Sequence, residues 1–147
     1  YTGGKAIMSN APSSLGTLLG SGFLEAGKRL KGKDVLPLNE AYILFQAIED
    51  NIMSRGGSKV GEKTFLDGID PAVKVLASAD WSVGDTAVLK EAALAAEYGA
   101  ENTRTMVAKH GRMAIRGKDS IGMLDPGAVV ASLLVVAFAQ ALYEWTA

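Results

Sequence analysis

The stretch Lys109 to Ala128, KHGRMAIRGKDSIGMLDPGA, sets how the rest of the chain is read. A long alanine-rich helix is expected to end at its start, a basic, glycine-punctuated loop to cross over, and a last apolar helix to begin at Pro126. Asp125 has a side chain that can cap a helix start. Pro126 suits the first helical turn, where its missing N–H loses no partner, and Gly127 leaves the backbone open to a ligand. Lys109, Arg112, Arg116 and Lys118 put four cations into ten residues, and Gly111, Gly117 and Gly122 between them permit positive-φ turns. This pattern is expected to bind an anion through the amides at the start of the last helix. The same features also fit an ordinary connection between helices with a good cap and a solvated basic face.

Around this stretch the composition is that of a globular chain of one domain, residues 1–147. Hydrophobic residues make up 48% and charged residues 21%, enough apolar surface to bury a core and too much for disorder. Fifteen Lys and Arg against sixteen Asp and Glu leave a net charge of −1, so no bulk charge drives the chain to nucleic acid or an anionic membrane. Any anion site must be local. Cysteine is absent, which excludes disulfides and thiolate metal sites and fits a cytoplasmic location, and the single histidine, His110, excludes a multi-histidine metal centre. The uncharged run Ala128 to Tyr143 is shorter than the roughly 20 apolar residues of a spanning helix and points to a buried core helix.

Every long periodic segment reads as helix, so the expected fold class is all-α. A capping cluster, Ser9 to Ser14, leads into a helix over Leu15–Leu30 whose glycines beyond the first turn serve close packing. Lys28 to Leu38 is a connection. Asn39 is expected to cap a second helix with Ala41, Leu44, Phe45, Ile48 and Ile52 on its core face, ended by Arg55-Gly56-Gly57-Ser58. A third helix is expected from Val60 or Gly61, with Phe65, Ile69, Val73 and Leu76 inward, Glu62 and Asp67 on a charged face, and a kink or split at Pro71. Trp81 falls in a turn as a packing anchor. A small-residue helix follows from Thr86 to Lys109, and the last helix, Pro126 to about Trp145, is apolar on nearly all sides through residues such as Val129, Leu133 and Leu134.

Three separated segments are similar to one known family: Val60-Gly61-Glu62-Lys63-Thr64-Phe65-Leu66-Asp67, then Lys109-His110-Gly111-Arg112, then Ser120-Ile121-Gly122-Met123-Leu124-Asp125-Pro126-Gly127-Ala128. In order and spacing they resemble the L-type domain of dihydroxyacetone kinases, and with the weaker Ser9–Thr17 segment the likeness covers nearly the whole chain. The resemblance implies an antiparallel helical barrel or bundle that holds ADP or ATP among the loops at one end. It implies phosphoryl relay to dihydroxyacetone, or a related small ketose, held on a K-type partner. In some members a phosphocarrier (M-type) subunit recharges the nucleotide; in others ATP is consumed. A short separate domain leans toward the phosphocarrier form. Carried over by position, the nucleotide would meet Asn10, Ala11, Ser13, Ser14, Gly56, Phe65, Arg112, Asp125, Pro126 and Gly127. Arg112 offers a permanent cation with a planar donor fork, and Phe65 offers either an apolar wall for adenine or an ordinary core side chain. His110 reads as a loop residue rather than a phosphoryl acceptor, since the match requires no histidine there.

The chain departs from the family in lacking its aspartate-rich magnesium motif: the aspartates from Asp34 to Asp119 never form the close trio a hard dication prefers. Because the chain opens on Tyr1, the expectation is that an N-terminal portion upstream supplies the first helices and all Mg2+ ligands, and that this chain alone is catalytically incompetent. No residue here is assigned to catalysis or metal binding. Apolar helix faces left over would be covered by such residues or by another chain, which keeps a homodimer open. Two functional classes remain: a phosphotransferase subunit, or a non-catalytic nucleotide-sensing or protein-interaction module of the same family.

Overall fold

The computed structural model describes residues 1–146, with side chains through Leu142. Tyr143 and Trp145, which close the expected uncharged run and last helix, lie beyond the described side chains. Among the described residues all regular structure is helical, and no helix is long and apolar enough to cross a membrane. The chain divides into two compact units, Tyr1–Ser58 and Lys59–Ala147.

The first unit contains α1 (Thr2–Asn10), α2 (Ser14–Arg29), a 3-10 turn at Leu38–Glu40 and α3 (Tyr42–Gly56), with α2 packed on both α1 and α3. α1 is not anticipated by the sequence, because Gly3 and Gly4 each disfavour helix by about 1 kcal/mol relative to alanine. Packing compensates: a Cβ on Gly4 would stand 2.6 Å from the Gly20 carbonyl oxygen of α2, so the two backbones touch where no side chain intervenes. Phe45, Ile48 and Ile52 are buried on the inner face of α3, as their spacing requires. Asn39 does not cap α3. It sits inside the 3-10 turn, and the chain enters α3 through Ala41, already in helical geometry, with no side-chain cap. Gly57, at φ 68°, ends α3 in the left-handed conformation expected of the Arg55–Ser58 segment.

The second unit contains α4 (Phe65–Ser78), a 3-10 turn at Trp81–Val83, α5 (Asp85–Asn102), 3-10 segments at Thr103–Thr105 and Arg112–Ser120, and α6 (Pro126–Thr146). α4, α5 and α6 each pack on the other two around Leu66, Ile69, Leu76, Val88, Ala92, Ala96 and Val135. α4 starts later than Val60 or Gly61, because Gly61 and Lys63 take positive φ and Thr64 is the residue that caps it. Asp67 is therefore not on a charged face: it is 3% exposed and completes the cap. Pro71 neither splits nor ends α4. Its ring and the Asp67 carbonyl that receives no N–H from it both lie against Gly99 of α5, where a Cβ would come within 2.3 Å of that oxygen.

α5 stops at Asn102 rather than Lys109, where the β-branched Thr103 turns its hydroxyl back onto the Ala100 carbonyl at 2.6 Å. α6 is not covered on all sides: Leu133 is 60% exposed and Val130 is exposed too. Gly68 of α4 meets the Ala128 carbonyl of α6, with 2.3 Å left for a Cβ. Because both neighbours there are backbone or short side chains, Gly68→Ala should cost about 2 kcal/mol and lower the thermal midpoint. An unchanged midpoint would show that α4 and α6 do not approach this closely.

Candidate functional site

In the first unit, the start of α2 and the end of α3 form an open cleft of about 820 Å³ lined by Met8, Pro12, Ser13, Ser14, Thr17, Leu18, Arg55 and Gly56. Three of the residues implied by the resemblance, Ser13, Ser14 and Gly56, come together here. Ser13 caps α2, its hydroxyl accepting from the Gly16 N–H at 2.9 Å. Asn10 and Ala11 lie just before the cleft and are used locally. The Asn10 amide donates to the Ala6 carbonyl, and the Ala11 carbonyl accepts from Ser13 N–H.

In the second unit the organising group is one the sequence reading passes over. Lys63 is 1% exposed, and its ammonium donates to the carbonyls of Thr103 (2.7 Å), Ser120 (2.7 Å), Met123 (2.6 Å) and, more distantly, Met106 (3.3 Å). These oxygens come from the turn after α5 and from the far end of the basic loop, so one cation fixes both to the start of α4. Burial pushes the Lys63 pKa below the ordinary lysine range, the Asp125 carboxylate acts against that, and Arg104 adds to it. Ser120 completes the base of the loop, its buried hydroxyl accepting from Ala108 N–H and donating to the Gly117 carbonyl. Arg104 donates to the Gly122 carbonyl at 2.7 Å. Gly111, Gly117 and Gly122 all have positive φ, as the sequence suggests.

The loop's leading edge is held by Glu62. Its carboxylate lies 2.6 Å from His110 Nε2 and accepts from the Lys59 N–H at 2.9 Å, with the Lys109 ammonium at 3.4 Å. Glu62 thus precedes α4 and bridges two loops, which corrects its reading as part of a charged helix face. Arg112 follows in the exposed part of the loop, and its guanidinium enters no hydrogen bond or ion pair among the described residues.

Asp125, Pro126 and Gly127 form the start of α6, as expected, with the Asp125 carboxylate accepting from Ala128 N–H at 2.8 Å and its N–H donating to Thr103 Oγ1. Burial raises the Asp125 pKa, opposed by the hydrogen bonds from Ala128 and Gly127, with Asp67 adding to the rise and Lys63 opposing it. At this helix start Pro126 has no N–H and the Ala128 N–H is taken by the Asp125 carboxylate, which leaves fewer amides facing outward than the sequence suggests. Phe65 is 3% exposed, and its backbone N–H lies 3.1 Å from where a Cβ on Gly127 would be. The starts of α4 and α6 meet at these two residues. Among the described residues, no three His, Asp or Glu side chains are grouped so as to hold a metal ion, so the residues described do not by themselves fit a magnesium centre.

The hydrogen bond from His110, reinforced by Lys59 N–H and Lys109, lowers the Glu62 pKa from 4.5 to about 2. As pH falls, the unfolded chain therefore takes up this proton first. The stability that Glu62 contributes is complete above about pH 4.5 and drains between pH 4.5 and 2. Thermal unfolding of the chain and of Glu62→Gln across this range should show a gap in midpoint at neutral pH that closes on acidification; a gap that persists to pH 2 would show that the carboxylate charge is not its source.

Comparisons with known proteins extend over both units. The DAK2 domain matches residues 2–140. The chain is 32% identical over 142 residues to the PEP-dependent dihydroxyacetone kinase, ADP-binding subunit DhaL, of Escherichia coli (strain K12), covering 96% of this chain and 68% of that protein. It is 34% identical over 142 residues to the PEP-dependent dihydroxyacetone kinase 1, ADP-binding subunit DhaL, of Listeria innocua, covering 95% of this chain and 65% of that one. The L-erythrulose 1-kinase of Mycolicibacterium smegmatis is 30% identical over 139 residues, which are 95% of this chain and 24% of the larger protein. On the extent of these matches, and on its all-helical structure, the chain belongs to the DAK2 domain family.

Proposed function

We propose that this chain is the nucleotide-holding part of a dihydroxyacetone kinase, relaying a phosphoryl group through bound ADP/ATP to dihydroxyacetone, or a related small ketose, carried by a K-type partner. The observation that carries this reading is the 32% identity running through 96% of the chain to a protein described as an ADP-binding subunit. The PEP-dependent names of the Escherichia coli and Listeria innocua relatives favour recharging by a phosphocarrier subunit over consumption of free ATP. The erythrulose kinase relative supports a wider range of small ketose acceptors. In this reading residues 1–147 work as one cytoplasmic nucleotide-binding domain.

The nucleotide contacts we assign are Asn10, Ala11, Ser13, Ser14 and Gly56 in the first unit and Phe65, Arg112, Asp125, Pro126 and Gly127 in the second. Their chemistry differs from a simple cradle at the last helix. The Ala128 N–H is committed to Asp125, whose carboxylate is suited to accept from ligand hydroxyl or amino groups rather than to meet phosphate. In the second unit, positive charge for phosphate falls to the free guanidinium of Arg112. Phosphoryl transfer also depends on magnesium, which neutralises charge between phosphates. The described residues do not fit that ion on their own.

Titrating ADP with magnesium into the intact protein by calorimetry tests this reading. Saturable binding is expected, and Arg112→Ala should weaken it about tenfold or more, the scale of one lost charge-assisted hydrogen bond. Absence of binding would remove the nucleotide function. Binding that is indifferent to charge reversal at Arg112 would remove this residue's role and favour a protein-interaction module.

A further inference from the structure

Between its anchors the basic loop is exposed. Lys63, Ser120 and Arg104 fix its far end to the body of the second unit, but the side chains of residues 112–118 make no hydrogen bond among the described residues. What holds the near end, just before Arg112, is a single assembly: the Glu62 carboxylate with His110 Nε2 at 2.6 Å and Lys109 Nζ at 3.4 Å, and the Glu62 carbonyl accepting from Lys109 N–H at 3.3 Å. Glu62 is itself steadied by the Lys59 N–H. Directly after His110 comes Gly111, at φ 66°, a joint with the backbone freedom to swing the following segment. A long arginine on such a joint finds its ligand only as well as the joint's base is fixed.

We propose that Glu62 and His110 form a clamp that positions Arg112, with His110 acting as a positioning residue through the hydrogen bond from its Nε2–H to Glu62. The clamp holds the chain on the near side of Gly111, so that Arg112 is presented to the nucleotide from one direction and its entropy cost on binding is reduced. This rests on the reading that Arg112 meets the nucleotide. A glutamine side-chain amide can place an N–H where the Nε2–H of histidine lies, so the role belongs to the donor and not to imidazole chemistry.

The test is a double-mutant cycle read by calorimetric ADP titration, in the presence of magnesium, on the full chain, His110→Ala, Arg112→Ala and the double variant, with His110→Gln alongside. His110→Ala is expected to weaken ADP about tenfold in the parent chain and not at all once Arg112 is alanine, and His110→Gln to restore most of the loss. A purely structural histidine would lower the unfolding midpoint without this dependence on Arg112. The clamp is overturned if His110→Ala leaves ADP affinity unchanged while Arg112→Ala weakens it, if the two losses add, or if glutamine gives no rescue. If Arg112→Ala itself changes nothing, the nucleotide role of Arg112 fails and the clamp falls with it. Should His110→Ala not fold, Glu62→Gln takes its place in the same cycle, with the same outcomes.

Discussion

The second unit depends on a buried ammonium. Lys63 stands on a backbone of positive φ between a glycine turn and the cap of α4, and gathers carbonyl oxygens from two segments some 40 to 60 residues further along the chain. An ammonium has three donors and no acceptor, and every partner here is an acceptor, so the charged form is the one that satisfies the site. Without it, the Met106 and Met123 carbonyls would lose their ammonium partner, at about 1–3 kcal/mol each, while those of Thr103 and Ser120 would keep the N–H groups of Met106 and Met123. Asp125 and Asp67 lie close enough to influence the same pocket, so the cation joins the starts of α4 and α6 to the two ends of the basic loop.

Around that anchor, structure and chemistry divide the labour among neighbouring residues. Asp67 caps α4 and also accepts from Gly61 N–H, fixing the turn that lets Lys63 point inward. Asp125 caps α6 through the Ala128 N–H. Both carboxylates at the paired helix starts are therefore occupied by their own backbone, and the loop carries cations, at Arg112, Arg116 and Lys118, that enter no ion pair among the described residues. The first unit offers a different surface, an open cleft where Ser13, Ser14 and Gly56 adjoin Arg55.

The sequence made the helical class legible because apolar residues recur at helical spacing in α3, α4 and α6. It also disclosed Ser13 near a helix start, the Gly57 stop, the three positive-φ glycines and the Asp125 cap, each a local rule that tertiary packing does not override. It did not disclose α1, since Gly3 and Gly4 work only through a backbone contact with α2 that no local window contains. Lys63 was hidden for a similar reason: a lysine beside glutamate and threonine reads as solvated, and nothing near it names the distant carbonyls it binds. That the Asp125 side chain takes the Ala128 N–H of the expected cradle follows from its cap geometry, which the sequence names only as a possibility. Glu62 and His110 are 48 residues apart, and only the fold brings them together.

The claim that a single buried cation holds the loop to the helices is tested most directly by hydrogen–deuterium exchange on the full chain and on Lys63→Met. The account predicts that backbone protection is lost across residues 103–123 while the amides of α2 and α3 exchange as before. Unchanged protection over 103–123 would contradict it.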